Sequence, residues 1–276
     1  MLTYSFMQVA FIVAILLGLC LPLIGSGLVY KRISNSGDAL SHSALAGVAI
    51  GLASGTNPLV ISIICCVVSF LIIEFLRKKF SKYSEIGVVI VLSLSIAVAG
   101  ILSNYAQGGN FDSYLFGSII LISTPELIAT IILCVLILLF YLFFYSQFFA
   151  GLYSEEEAKT SGIKIGVINF IYSLLLSLTV AIGAKIIGSL VVSAMIVLPI
   201  AIAMQFKKGY KMTLIIGIVT SVISMCAGLT ISYYLEWPPG ATIILVAISL
   251  LILTFLFNII SSQIKKKSFK NKLKLK

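Results

Sequence analysis

Charged residues are scarce in this chain of 276 residues. Asp, Glu, Lys and Arg make up 10% of it, whereas an ordinary soluble domain carries roughly 25%. Apolar residues account for 60%, and the mean hydropathy is +1.17. Too little polar surface remains to face water along the whole length. The composition therefore excludes one or two soluble domains and predicts a protein embedded in a lipid bilayer.

Several nucleotide-binding and catalytic motifs are also missing. The chain has no GxxxxGK[ST] loop for ATP phosphates, no HExxH and no GxSxG. It contains a single histidine, so a membrane enzyme with a nucleophile–base pair is not favoured. The five cysteines lie inside apolar runs without CxxC spacing and are expected to be small apolar residues. No basic patch interleaved with aromatic residues is present, so we expect no nucleic-acid partner.

What the chain does have is a series of apolar runs separated by short polar clusters. A spanning helix needs about 20 mostly apolar residues, whereas strands of a membrane barrel would alternate apolar and polar residues. The pattern predicts an all-α, polytopic transmembrane helical bundle. The second span is the weakest, so eight spans remain an alternative to nine. The nine candidates are 7–29, 36–55, 57–76, 84–103, 124–146, 165–183, 186–205, 212–234 and 240–262.

The basic residues predict the orientation of this bundle. With the N-terminus outside and the C-terminus inside, every Lys and Arg except Lys185 falls on the cytoplasmic side. Residues 265–276 form a basic cytoplasmic tail after a membrane domain at 1–264. The apolar segment 113–123 is too short to span and is predicted to be interfacial or re-entrant.

Asp38 and His42 stand apart among the few ionisable residues within the predicted spans. Placing an Asp at the centre of a membrane helix costs about 2.5–3.5 kcal/mol, so such residues are functional candidates. Their i,i+4 spacing puts them on one helix face, about 6 Å apart along the axis. A carboxylate oxygen and an imidazole nitrogen suit Zn²⁺, Mn²⁺ or Fe²⁺. An Asp–His hydrogen bond that orders the bundle and a proton relay remain alternatives.

Two prolines interrupt apolar spans. Pro22 lies in span one and Pro199 in span seven, where each removes a backbone donor and is expected to kink its helix. Such a kink is either tolerated packing or a hinge that lines a pathway. Ser193 belongs to a set of small residues in span seven that permits close helix packing.

The segment 152–163 predicts a short helix between two spans. Ser154 is a good N-cap, Glu155, Glu156 and Glu157 follow in the first turn, and Gly162 is a natural stop. A short helix on the inner face resembles a docking element for a cytoplasmic partner.

The stretch Asp38–Ala49 (DALSHSALAGVA) is similar to the signature of the metal-uptake ABC permeases, the zinc and manganese importer family. Segments 114–118, 188–199 and 238–243 resemble the same family in the same order, so the resemblance runs over essentially the full chain. It implies a multi-pass permease of the bacterial plasma membrane, with no permanently bound cofactor. The implied partners are a cytoplasmic ABC ATPase, an extracellular metal-binding lipoprotein and a second copy of the permease.

The resemblance also implies roles for particular residues. Asp38 and His42 become pathway ligands for the metal. The 152–163 segment becomes the coupling helix that docks on the ATPase, through Glu155, Glu156, Glu157, Ala158 and Gly162. Manganese importers of the family often have Leu-Pro-Gly where this chain has Leu45-Ala46-Gly47, which favours zinc, with manganese second and iron third.

The main alternative to an ATP-driven importer is a secondary metal carrier or channel. In that case Asp38 and His42 would form a proton relay and no ATPase would be needed. Transport by the chain alone in vesicles, or co-purification of a nucleotide-binding subunit, distinguishes the two.

Overall fold

All regular secondary structure in the described part of this computed structural model is helical. The structure describes residues 4–80, 84–103 and 122–274. In these ranges the all-α prediction is confirmed. The helices are α1 (Ser5–Tyr30), α2 (Asn35–Ala53), α3 (Pro58–Lys79), α4 (Ser84–Ser103), α5 (Thr124–Tyr153), α6 (Glu155–Thr160), α7 (Ile165–Ile187), α8 (Ser189–Met204), α9 (Tyr210–Leu235) and α10 (Pro239–Lys274).

Each of the nine predicted spans corresponds to one of these helices, and the short α6 is the predicted helix of segment 152–163. The boundaries differ in places. Helix α5 continues past 146 to Tyr153, because the next polar cap is Ser154. Helices α7 and α8 meet at Gly188, whose φ of 93° interrupts the helical backbone. The predicted interfacial segment 113–123 lies, up to residue 121, outside the described residues, as does the motif at 114–118.

Seven of the helices in the described ranges are long and apolar enough to cross a membrane: α1, α3, α4, α5, α7, α9 and α10. Helix α8 has 16 residues, a length of about 24 Å against a hydrocarbon core of about 30 Å. Helix α2 is longer, but polar residues crowd its first half. The chain is therefore a multi-pass membrane protein. Nine spans and the N-out, C-in orientation stay predictions.

Apolar side chains cover the outside of the bundle as well as its core. Large apolar residues on α5 and α10 are more than half exposed, among them Leu142 at 74% and Phe143 at 70%. Such a surface is incompatible with water and suits lipid tails. Helix α1 occupies the interior and contacts α5, α7, α8 and α9, while α2 packs on α3, α4, α7 and α8.

The C-terminal ends of α1 and α5 lie beside the N-terminal ends of α7 and α9. The ring of Tyr30 at the end of α1 lies 5.1 Å from that of Tyr210 at the start of α9, and Phe149 near the end of α5 stacks on Tyr210 at 5.0 Å. Lys31 reaches Asn169 near the start of α7. These ends therefore lie at one end of the bundle, which we call the basic end because Lys31, Lys159 and Lys207 belong to it.

Candidate metal site and coupling segment

Asp38 and His42 lie on one face of α2, as their spacing predicts. His42 Nε2 is 3.9 Å from Asp38 Oδ1, beyond hydrogen-bond length. The side chain of His42 is 22% exposed and that of Asp38 is 47% exposed. We call these two residues the α2 pair. Because the two side chains are not hydrogen-bonded to each other, the carboxylate and the imidazole can both bind a metal ion.

The α2 pair lies on a helix that is otherwise enclosed. From Ser36 to Ala49, Asp38 and His42 are the two residues that are not buried. Ser43 fixes α2 to α4 through a hydrogen bond of 2.8 Å to the hydroxyl of Ser95. The sequence therefore directs the apolar and small residues of α2 into the bundle and leaves one narrow opening, where the α2 pair lies.

Two glycines bring α2 close to α3. A Cβ added at Gly47 would lie 2.5 Å from Ser62 Cα, and one added at Gly51 would lie 2.6 Å from Pro58 Cα. Both contacts involve backbone atoms, so side-chain rotation could not relieve them. These two glycines therefore permit close packing of α2 against α3.

Chemically, the α2 pair offers one oxygen and one nitrogen ligand, a set that suits a borderline divalent ion. No group of three or more His, Cys, Asp or Glu side chains able to hold a metal occurs among the residues that the structure describes. Two protein ligands bind a metal weakly, which suits an ion in transit better than a structural ion.

Helix α6 has the predicted caps. Ser154 Oγ accepts a hydrogen bond from the backbone N–H of Glu157 at 3.2 Å, and Gly162 follows with a φ of 80°. Its predicted docking residues, however, point in two directions. Glu155 and Ala158 face the bundle, and Ala158 is buried, whereas Glu156 and Glu157 are exposed.

Sequence reasoning missed the contacts of Glu155. Asn169 Nδ2 on α7 donates to Glu155 Oε1 at 3.2 Å, and Lys31 Nζ donates to Asn169 Oδ1 at 2.9 Å. Lys31 Nζ also lies 3.8 Å from Glu155 Oε1. Two signals pointed here: Asn169 is a lone amide in an apolar span, and Glu155 lies three residues before Ala158, so they share a helix face.

The prolines lie where they were predicted, inside α1 and α8, and both are buried. Both lie close to Gly217 of α9: a Cβ at Gly217 would lie 3.6 Å from Pro22 Cβ and 3.7 Å from the carbonyl oxygen of Pro199. Ser193 is partly buried, and its hydroxyl donates to the backbone oxygen of Leu190 at 3.1 Å. A pathway role for these three residues stays a prediction.

At the opposite end of the bundle, Lys185 has a partner that the sequence did not suggest. Its Nζ lies 2.7 Å from Glu126 Oε1. Glu126 also accepts from the backbone N–H of Ser123 at 2.8 Å. This ion pair therefore joins the end of α7 to the first turn of α5.

The chain is similar to proteins of known family and structure. The model of the ABC 3 transport family matches residues 3–258. Among solved structures, PsaBC from Streptococcus pneumoniae in complex with a Fab aligns with a TM-score of 0.82 and 25% identity, over 91% of each chain.

Three similar proteins have names that mention metals. A "Probable metal transport system membrane protein" of Treponema pallidum is 37% identical over 92% of this chain and 96% of its own. The high-affinity zinc uptake system membrane protein ZnuB of Haemophilus influenzae is 27% identical, over 87% of this chain and 95% of its own. The manganese transport system membrane protein MntC of Halalkalibacterium halodurans is 28% identical, over 94% and 89%.

Proposed function

The chain belongs to the ABC 3 transport family, and from this membership we propose that it is the membrane permease of an ATP-driven importer for a divalent transition metal, with zinc as the main cargo. The metal is a transported substrate and not a resident cofactor. In this proposal Asp38 and His42 give the ion temporary ligands as it crosses the bundle.

One observation carries this proposal: between Ser36 and Ala49, the α2 pair is the part of α2 that is not buried. Its carboxylate and imidazole lie 3.9 Å apart and partly exposed, so a dication could contact both. A permanent site would surround the ion with four ligands. Two ligands lower the affinity, and an ion that must leave on the other side of the membrane requires such a moderate affinity.

The preference for zinc over manganese rests on ligand chemistry and on one tripeptide of the sequence. Imidazole nitrogen is a common zinc ligand, and carboxylate oxygen is shared by both ions. Leu45-Ala46-Gly47 departs from the Leu-Pro-Gly of manganese importers. The named zinc and manganese relatives are about equally similar to this chain, at 27% and 28% identity, so they do not favour either ion.

The proposed assembly contains three partners. A cytoplasmic ATPase would bind the exposed face of α6, where Glu156 and Glu157 point away from the bundle. An extracellular metal-binding lipoprotein would deliver the ion. A second copy of the permease would complete a homodimer and could supply further ligands opposite the α2 pair.

The test is zinc uptake by cells that express the whole transporter with His42→Ala or Asp38→Asn. We expect both variants to lose zinc-limited growth and uptake, while membrane insertion and co-purification of the ATPase persist. Ser54→Ala is a suitable control, because Ser54 lies exposed at the end of the same helix and its hydroxyl donates to the backbone oxygen of Ile50.

Unchanged uptake in the His42→Ala variant would exclude the proposed ligand. Transport by the permease alone in vesicles, without an ATPase, would instead support the secondary carrier with a proton relay. Competition between Zn²⁺ and Mn²⁺ in the wild-type uptake assay decides the cargo, and stronger inhibition of zinc uptake by excess manganese than by excess unlabelled zinc would contradict zinc.

A further inference from the structure

Glu155, the first residue of α6, is held by side chains from two other parts of the bundle. It accepts from Asn169 of α7 at 3.2 Å and lies 3.8 Å from Lys31, which directly follows α1. Lys31 and Asn169 are themselves joined by a hydrogen bond of 2.9 Å. These three residues, the Lys31 network, therefore connect α6 to both α1 and α7.

Lys31 is the buried member of the Lys31 network, whereas the side chain of Glu155 is 43% exposed. The side chain of Lys31 is 10% exposed, and its Nζ lies 5.8 Å from the centre of the Tyr172 ring. Burial lowers the pKa of Lys31, and the carboxylates of Glu155 and Glu74 oppose that shift. A buried ammonium depends on its partners far more than an exposed surface pair does. Asn169, at 2.9 Å, and Glu155, at 3.8 Å, are the partners on which the Lys31 ammonium depends.

From Lys31 the chain leads directly to the α2 pair through a stiff connection. The backbone N–H of Ile33 donates to Leu28 at 2.9 Å, that of Ser36 to Ile33 at 2.9 Å, and that of Gly37 to Ser34 at 3.1 Å. Asp38 follows immediately. Because overlapping hydrogen bonds fix residues 31–37, a displacement of Lys31 moves the start of α2 with it.

Helix α6 also has room to move. A cleft of about 220 Å³ lies between α3, α6 and α7, and its lining includes Glu74, Arg77, Glu155 and Lys159. A helix beside unfilled space can move without displacing packed side chains. The close-packed residues on its other side then transmit that movement to neighbouring helices.

We propose that Lys31 and Asn169 are positioning residues that couple α6 to the α2 pair. When the ATPase displaces α6, Glu155 pulls on Lys31 and Asn169, and the 31–37 connection carries the movement to Asp38 and His42. The inference rests on the proposed function, since it requires that an ATPase acts on α6. It adds to that function a specific route by which hydrolysis reaches the metal.

The experiment uses the complete transporter, with permease, ATPase and binding protein, in proteoliposomes supplied with Zn²⁺ and ATP. The measured quantity is the number of ATP molecules hydrolysed per zinc ion imported. Lys31→Met removes the charge, Lys31→Arg restores it, and Lys164→Met is the control, because Lys164 is an exposed lysine between α6 and α7.

We expect Lys31→Met to keep the ATPase bound and active but to raise the ATP-to-zinc ratio by at least about fivefold, the lower range of coupling between sites. Lys31→Arg should return the ratio towards wild type, and Lys164→Met should not change it. Asn169→Ala should raise the ratio as well. It removes both hydrogen bonds but leaves Lys31 beside Glu155, so it carries the test if Lys31→Met reduces the amount of folded transporter.

A wild-type ratio in Lys31→Met and Asn169→Ala would overturn the inference. So would a loss of hydrolysis and uptake in equal proportion, because that result indicates a purely structural role. Failure of the proposed function looks different: the wild-type complex itself would then import no zinc when ATP is hydrolysed.

Discussion

Replacing Gly47 with alanine tests whether close backbone contact between α2 and α3 holds the α2 pair in place. The added Cβ would lie 2.5 Å from Ser62 Cα and 2.9 Å from the carbonyl oxygen of Ile61. Ordinary contact begins at 3.4 Å, so α2 and α3 must separate by about 0.9 Å (3.4 − 2.5). No side chain can rotate to absorb this shift, because both clashing atoms belong to the α3 backbone.

The expected change in the free energy of unfolding combines two opposing effects. Overpacking of a close-packed interior costs about 1–3 kcal/mol, whereas alanine in place of helical glycine gains up to about 1 kcal/mol. Gly100→Ala provides the matched control, since a Cβ there meets nothing within 4 Å and Gly100 also lies in a helix. The helix term is common to both variants, so their difference of about 1–3 kcal/mol isolates the clash.

The assay is thermal unfolding of the two variants purified in the same detergent, followed by zinc uptake. At roughly 2–4 °C per kcal/mol, we expect the Tm of Gly47→Ala to lie about 2–12 °C below that of Gly100→Ala. Uptake should fall more in Gly47→Ala, because the displaced helix carries Asp38 and His42. Equal Tm values would refute the close contact and, with it, the reasoning that α2 is fixed by backbone packing.

Two further substitutions test the packing around the site by the same unfolding assay. Gly188→Ala places a side chain at a φ of 93° between α7 and α8, which costs about 1–3 kcal/mol; Gly209→Ala, at a φ of −62° and with open space around it, should not lower the Tm. Tyr172→Phe removes a buried hydroxyl that donates to the backbone oxygen of Ile24 at 2.6 Å and should cost about 0.5–1.5 kcal/mol. Tyr153→Phe, at a residue 82% exposed, should change nothing, and equal effects at Tyr172 and Tyr153 would contradict the buried bond.

The helices could be predicted because membrane insertion depends on local properties. Run length and hydropathy located all nine long helices, and the cap at Ser154 and the stop at Gly162 located α6. Predicted and observed boundaries differ where a helix continues beyond the apolar run. Helix α5 extends to Tyr153 because Ser146 and Gln147 are polar but do not break a helix.

The contacts between helix ends could not be predicted in the same way. Lys31, Glu155 and Asn169 are far apart in the chain, and their meeting depends on how α1, α6 and α7 converge. Hydropathy treats each as a residue at or near a membrane boundary. The α2 pair was predictable because its two members lie one turn apart on a single helix, where spacing alone determines the face they share.

The energetics of the α2 pair argue against a purely structural role. A pair that ordered the bundle would be buried and within hydrogen-bond distance, since a buried polar group without a partner is costly. Asp38 and His42 instead lie 3.9 Å apart, and Asp38 is 47% exposed. Partly exposed ion pairs contribute little to stability. Between Ser36 and Ala49, α2 nevertheless carries a carboxylate and an imidazole at the two positions that are not buried, although apolar residues there would insert into a membrane more readily. Stability does not explain this choice, whereas the proposed passage of a dication past these two side chains would.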